Sequence, residues 1–409
     1  MFVNGVIGEN DMTLYQKLQD EIRNHRDFWN YYDMKVEDVC KNEKSASKFI
    51  YKFFESGSKS YAIREWMEYS DDSMQMRNIH TINVFFIGVF LQRKIDENIA
   101  IKSEMSPDYT FSYLWYLLCL AHDLGYIYEN HLGRDFKMPN ENMIKKQIGL
   151  RKSISRRHFY RCNKIKVTYL CSAFWLAPLI RSNHLNDGFH NIQQELNRNI
   201  EYSNGTMIKK PRYSGRILNR YFYYRIHEWN KVDHGIIGGD LFLSRMIVNY
   251  KKEYMKVMHR SHRVNCDYEF YNERGLYFCC EQLKIFDYIS NCIASHNIYM
   301  ANDDEYKRKY IEYSLDCLLE EQYKRISYKD DPLLFILCVA DTLEPSKRFI
   351  KYNSETLLRL IDIDYDVTQN LLNIKIDMQL CRQDEGIKYI SDIKNLEQWC
   401  DIKVKIKVL

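Results

Sequence analysis

Five segments of the chain repeat apolar residues at every third or fourth position, which is the period of a helix with one buried face. Only 6 prolines and 15 glycines occur among 409 residues, and this scarcity favours long helices over a β-sandwich or barrel. The sequence therefore predicts a mainly α-helical fold. The five segments are residues 74–94, 111–128, 232–250, 280–300 and 332–342.

The chain is longer than a usual single domain, so we expect one large core with additions. Residues 1–75 are predicted to form an N-terminal helical segment, and residues 76–350 a helical body that contains the apolar segments apart from the first two residues of segment 74–94. Inside that body, about residues 131–225 are polar and irregular, which indicates a long insertion of mixed structure.

The last part of the chain, residues 351–409, differs from the helical body. Residues 370–379 and 401–409 alternate apolar and polar side chains as half-buried strands do. Residues 387–399 between them carry a helical pattern. These features predict a small C-terminal α+β appendage.

The composition points to the cytoplasm. Twelve cysteines occur, but we find neither an export signal at the N-terminus nor cysteine pairs with metal-site spacing, so reduced thiols are expected. The longest apolar stretch, Tyr169 to Ile180, contains Pro178 and is shorter than the roughly twenty residues of a spanning helix. We therefore expect a cytoplasmic protein without membrane association.

Each apolar segment carries a metal-ligand type of residue on its inward side. His80 shares a face with Val84 and Ile87, for example, and His122 shares one with Leu118 and Cys119. One such histidine alone is more often a hydrogen-bonded core residue than a ligand. Burying several without partners is costly, however, and a shared cation would satisfy all of them. The predicted metal ligands are His80, His122, Asp123, His234, His296 and Asp341.

The order of these residues resembles the HD phosphohydrolase superfamily. His80, then the apolar run that ends in His122-Asp123, then Ala340-Asp341 matches the H…HD…D signature of that family. The resemblance implies an HD-domain helical bundle. Members with two metals have two further histidines before the last aspartate, as His234 and His296 are here, so the resemblance implies a binuclear site. The short motifs are most similar to the HD-type symmetrical diadenosine tetraphosphatases.

The chain also departs from the family. Many members have a lysine or histidine soon after the HD pair, whereas Tyr126 occupies that position. The Gly-Tyr-Pro motif of the branch that degrades cyclic di-GMP is absent, which argues against that activity.

The predicted chemistry is hydrolysis of a nucleotide phosphoester or phosphoanhydride. Histidine and carboxylate ligands suit one or two divalent transition-metal ions, and Fe, Mn, Zn and Co all remain open. Such an ion lowers the pKa of a bound water and attracts a phosphoryl oxygen. His122 and Asp123 are the predicted catalytic residues, with Asp123 the natural bridging ligand.

Cationic side chains near the ligands should bind the substrate phosphates. Arg77 precedes His80 by one helical turn, and Lys347 and Arg348 follow Asp341 closely. Arg77, Lys347 and Arg348 are therefore predicted to bind a small nucleotide substrate.

Two alternatives stay open. Residues 145–166 contain many lysines and arginines and no acidic residue, so this basic cluster from Lys145 to Lys166 could hold a nucleic acid in a nuclease or cyclic phosphodiesterase. The protein could also be a non-catalytic sensor that keeps the metal and binds a nucleotide.

Overall fold

The computed structural model is mostly helical, with small sheets. This confirms the expected mainly α composition. The residues that the structure describes are 12–25, 39–53, 78–103, 108–126, 199–208, 211–229, 231–240, 242–243, 246, 280–349 and 351–409.

Helices and strands are numbered in chain order. The helices are α1 (Leu14–Asn24), α2 (Glu43–Phe53), α3 (Asn78–Ile95), α4 (Phe111–Ala121), α5 (Gly215–Trp229), α6 (Cys280–Ser295), α7 (Asp304–Glu312), α8 (Pro332–Leu343), α9 (Ser354–Arg359), α10 (Met378–Cys381) and α11 (Asp384–Trp399). Residues 234–240 are also helical. The strands are β1 (Ala100–Ile101), β2 (Tyr109–Thr110), β3 (Ile200–Glu201), β4 (Met207–Ile208), β5 (Ile361–Asp366), β6 (Leu371–Ile376) and β7 (Lys403–Val408).

Helix α3 is the centre of the described core. Every residue from Asn78 to Gln92 is buried, because α1, α2, α4 and α8 all pack around this helix. The contact with α4 is especially close: Trp115 donates a hydrogen bond to the backbone oxygen of Phe85 (2.9 Å), and its ring occupies the space that a Cβ on Gly88 would need. A helix that is apolar on all sides is thereby kept from solvent.

Helix α8 begins at a strong start signal. Asp331 is the N-cap and accepts a hydrogen bond from the amide of Leu334 (3.3 Å), and Pro332 occupies the first turn, where no amide donor is needed. The apolar run that follows packs on α3 and α6. This packing aligns the C-terminal end of α8 with the beginning of α3.

The predicted helix over residues 111–128 is wrong at its C-terminal end. Helix α4 ends at Ala121, with His122 as the C-cap, and residues 122–125 form a turn. Two backbone hydrogen bonds stabilise this turn: the Leu124 amide donates to the Ala121 carbonyl oxygen (3.1 Å), and the Tyr126 amide donates to the Asp123 carbonyl oxygen (3.1 Å). Gly125 is required there, because a Cβ would lie 1.9 Å from the backbone oxygen of His234.

The C-terminal residues form the expected α+β unit, with one strand that we did not predict. Strand β6 pairs antiparallel with β5 and parallel with β7, and α11 makes the crossover between β6 and β7. β5 buries alternate residues, so its period of two was present in the sequence and was overlooked. Strands β6 and β7 fall within the predicted ranges 370–379 and 401–409, and α11 covers the predicted 387–399.

One hydrophobic core crosses the predicted boundaries near residues 75 and 350. It includes Leu18 of α1, Val84 of α3 and Ile374 of β6. Lys17 strengthens this arrangement, because its Nζ donates to the backbone oxygen of Ile363 (2.8 Å) and pairs with Asp362 (2.7 Å). The N-terminal helix is thus attached to the C-terminal sheet.

Of the predicted insertion at 131–225, the structure describes residues 199–208 and 211–225. The first range forms the β3–β4 hairpin and the second includes most of α5. Helix α5 and residues 232–237 contribute to a second hydrophobic cluster with α7. The basic cluster Lys145–Lys166 lies outside the described residues.

Candidate metal centre

The first half of the site is built at adjoining helix ends. His80 lies in the first turn of α3, His122 caps the C-terminus of α4, and Asp123 follows in the turn. Asp341 lies in the last turn of α8. Because α3 packs against both α4 and α8, these four side chains face the same interior space.

The second half comes from two other segments. His234 is the first residue of the helical segment 234–240, and His296 follows the end of α6 in a turn. Asp233 supports both segments: it accepts from the amide of Ile236 (2.8 Å) and from the side chain of Asn297 (2.9 Å). The two histidine rings are 5.2 Å apart at their centroids.

The ligand atoms of the first half lie close together. His80 Nε2 is 3.3 Å from His122 Nε2, 3.4 Å from Asp123 Oδ2 and 3.2 Å from Asp341 Oδ1. His122 Nε2 is 3.4 Å from Asp123 Oδ1 and 3.8 Å from Asp341 Oδ1. His80, His122 and Asp123 form a group whose ligand atoms all lie within 4.8 Å of one another.

A second group shares Asp123 with the first. Ligand atoms of Asp123, His234 and His296 also lie within 4.8 Å of one another, and His234 Nε2 is 3.8 Å from Asp123 Oδ1. All five residues of the two groups are buried. The structure therefore brings five of the six predicted ligands together as two adjoining groups with one carboxylate common to both. It places the sixth, Asp341, next to His80 of the first group.

The protonation of two histidines can be deduced from their hydrogen bonds. His122 Nδ1 is 2.6 Å from the backbone oxygen of Cys119, and His296 Nδ1 is 2.6 Å from the backbone oxygen of Ile293. A carbonyl oxygen only accepts, so each Nδ1 carries the proton and each neutral ring has its lone pair on Nε2.

The electrostatic environment keeps these rings neutral. Burial lowers the pKa of His122 against the opposing effect of Asp123 and Asp341, and burial together with His234 lowers the pKa of His296 to about 3. His296 Nε2 is buried without a hydrogen-bond partner among the described residues. A buried lone pair next to a carboxylate is what a metal cation would satisfy.

At His80 and Asp341, neighbouring charged groups outweigh the effect of burial on the pKa. Burial and Lys347 oppose protonation of His80, but Glu344 and Asp341 outweigh them and raise its pKa to about 9. Burial would raise the pKa of Asp341, yet Lys347 and His80 hold it well below the usual range. A carboxylate that stays ionised while largely shielded from solvent needs cations around it.

Of the three predicted substrate-binding residues, one contacts the ligand set. Lys347 Nζ is 2.6 Å from Asp341 Oδ1. Arg348 turns away and pairs with Asp392 of α11 (3.1 Å), donates to the backbone oxygen of Glu344 (3.2 Å) and lies over the ring of Tyr389. Arg77 lies outside the described residues.

Tyr126, the departure from the family pattern, lies directly at the site. Its ring stacks on that of His234, with centroids 3.7 Å apart and planes 15° from parallel. The aromatic ring therefore covers a predicted ligand at the position where many HD superfamily members have a lysine or histidine.

Sequence reasoning missed the residues that hold the ligands in place. Glu344 is fully buried and lies 2.6 Å from His80 Nδ1, and Asp233 and Asn297 connect the two segments of the second group. Glu344 follows Asp341 by three residues, which puts both on one face of a helix end. This spacing of three residues from a predicted ligand is the sequence signal that could have identified Glu344.

Comparison with protein-family models, curated proteins and solved structures found no match for this chain. Within the described residues, no helix has the length and apolar character needed to cross a membrane.

The chemistry of the site is therefore inferred from the geometry of its own residues. The neutral imidazoles of His122 and His296 and the carboxylates of Asp123 and Asp341 form a donor set that fits divalent transition metals.

Proposed function

We propose that this protein is a metal-dependent phosphohydrolase of the HD type that acts on a nucleotide phosphoester or phosphoanhydride at a binuclear site. The observation that carries the proposal is the pair of buried His/Asp groups that share Asp123. The H…HD…H…H…D order of these residues in the sequence supports the same assignment.

The first ion would be held by His80, His122, Asp123 and Asp341, and the second by Asp123, His234 and His296. When bound, such ions supply an activated water and attract the negative charge of a phosphoryl group. The ligands are pre-organised for this role, because His122 and His296 already direct their lone pairs inward.

Lys347 would contribute to phosphate binding. Its ammonium group lies 2.6 Å from Asp341 and its side chain is 28% exposed, so it is both near the ligands and accessible from solvent. With Asp341 serving as a metal ligand, the Lys347 ammonium would be available to a substrate oxygen. Arg348 is engaged with Asp392 and would instead stabilise the junction between α8 and α11.

The decisive experiment measures metal content and phosphate release in the same preparations. Wild type and Asp123→Ala are assayed on a panel with diadenosine tetraphosphate, deoxynucleoside triphosphates, cyclic nucleotides and short single-stranded DNA and RNA. We expect about two metals per wild-type chain, hydrolysis of a nucleotide, and loss of both in the variant because Asp123 belongs to both groups.

His227→Ala is the matched control, because His227 is exposed on α5 and belongs to neither group. It should keep its metals and its activity. Hydrolysis of nucleic acid or cyclic nucleotides alone would favour the nuclease or phosphodiesterase alternative. Metal-loaded protein that gains thermal stability with nucleotide but releases no phosphate would favour the sensor. Wild type without metal would refute the proposal.

A further inference from the structure

Glu344 is a fully buried carboxylate immediately after α8. Its Oε2 lies 2.6 Å from His80 Nδ1. Glu344 therefore lies against the ring edge of His80 that faces away from the other predicted ligands.

The other carboxylate oxygen of Glu344 is fixed in place. Oε1 accepts from the side chain of Asn83 (2.9 Å) and from the amide of Ser346 (2.9 Å), and the Ser346 hydroxyl donates to it as well. Asn83 also donates to Ser354 (3.2 Å), whose hydroxyl donates to the backbone oxygen of Cys40 (3.0 Å). With these donors on Oε1, Oε2 is held toward His80.

Because both oxygens of Glu344 are placed as acceptors, Oε1 toward Asn83 and Ser346 and Oε2 toward His80, His80 Nδ1 is the donor of its contact and carries a proton. The remaining nitrogen, Nε2, then faces His122, Asp123 and Asp341 at 3.2–3.4 Å. A carboxylate on the outer nitrogen of a ligating histidine fixes the tautomer and makes the inner nitrogen a stronger donor to a metal.

We propose that Glu344 is a positioning residue that holds a proton on His80 Nδ1, so that Nε2 is the nitrogen that His80 offers to a metal. This inference rests on the proposed function, because it assigns a role within the same metal site. The outer nitrogens of His122 and His296 contact backbone carbonyl oxygens, whereas the outer nitrogen of His80 contacts the side-chain carboxylate of Glu344. The group that contains His80 should therefore bind its metal more tightly than the group that contains His296.

The first test is a metal titration of Glu344→Gln and Glu344→Ala with Co²⁺. Loss of a carboxylate partner from a ligating histidine typically weakens metal binding about 10- to 100-fold. We expect Glu344→Ala to show this full loss of Co²⁺ affinity at the tighter site, which is the one that contains His80. Glu344→Gln should show a smaller one, because its amide oxygen can still accept from Nδ1. Binding at the weaker site should be unchanged.

Glu21→Gln is the matched control. Glu21 is a buried carboxylate of α1 that pairs with Arg93 (2.5 Å) and lies outside both ligand groups. The same substitution there should lower stability without changing Co²⁺ affinity. An equal loss of affinity in both variants would mean that the effect comes from general loosening of the core, and would overturn the role of Glu344.

A second measurement uses only wild-type protein, so it does not depend on whether the variants fold. In histidine-labelled protein loaded with Zn²⁺, nitrogen-15 NMR should show His80 protonated on Nδ1, with that proton strongly deshielded by Glu344. A His80 ring protonated on Nε2 would overturn the inference. Wild type that takes up no metal would refute the proposed function, whereas uptake unaffected by Glu344→Ala would refute only the role of Glu344.

Discussion

Helix α8 has an acidic residue at each end, Asp331 buried and Asp341 half-buried, and the two have opposite surroundings. At the N-terminal end, Asp331 accepts from the Tyr288 hydroxyl (2.5 Å) and the Leu334 amide (3.3 Å). At the other end, Asp341 lies 2.6 Å from the ammonium of Lys347 and 3.2 Å from His80 Nε2.

The two environments shift the carboxyl groups in opposite directions. Burial raises the pKa of Asp331 to about 6, against the hydrogen bond from Tyr288. The pKa of Asp341 lies well below its usual range, because Lys347 and His80 outweigh burial. One residue type on one helix thus serves as a helix cap where neutral donors surround it, and as a candidate cation ligand where charged groups do.

The largest effect expected from this comparison is at Asp341. Asp341→Asn removes the predicted anionic ligand next to His80, so we expect phosphate release to fall at least about 100-fold and metal affinity to fall with it. Asp331→Asn should change turnover by less than about threefold, because asparagine remains a good N-cap. Metal titration and steady-state kinetics on both variants would check this, and equal losses would contradict it.

The next effect is on stability at the Asp331 end. Because its folded pKa is about 6 against an ordinary value of 3.8, the folded state holds the proton more strongly, and stability falls as pH rises from about 4 to about 6.5. The amide introduced by Asp331→Asn does not titrate. The unfolding free energy of wild type relative to this variant should therefore fall by about 2 kcal/mol over this range.

Denaturant unfolding of metal-free protein at several pH values measures this difference directly, since other titrating groups contribute equally to both proteins. A difference that stays constant from pH 4 to pH 7 would show that Asp331 ionises in the folded state as it does in the unfolded chain.

The smallest expected effect is a change in KM that distinguishes Lys347 from Arg348. Lys347→Ala removes the ammonium next to Asp341, and the loss of one charge-assisted hydrogen bond to phosphate should raise KM about tenfold. Arg348→Ala should leave KM within about twofold and lower stability, since Arg348 binds Asp392. Steady-state kinetics with the best substrate of the panel, together with thermal unfolding, would test both. The opposite result would exchange the two roles.

Much of the fold was predictable because helical and strand periods are local properties of a sequence. The apolar repeats of α3, α6 and α8 were located within a few residues, and the alternation in β6 and β7 was recognised. The end of α4 was not, because the turn at residues 122–125 depends on the close approach of Gly125 to the backbone of His234. That approach is a contact between distant parts of the chain.

The sequence by itself determined which side chains face inward, since burial follows the helical period. This was enough to select His80, His122 and Asp341 as candidate ligands. Tertiary structure alone decided which partners each one has: Glu344 lies 264 positions from His80 in the chain yet 2.6 Å from its ring. Packing of α3 between α4 and α8 creates that contact, and no local pattern encodes the distance between helices.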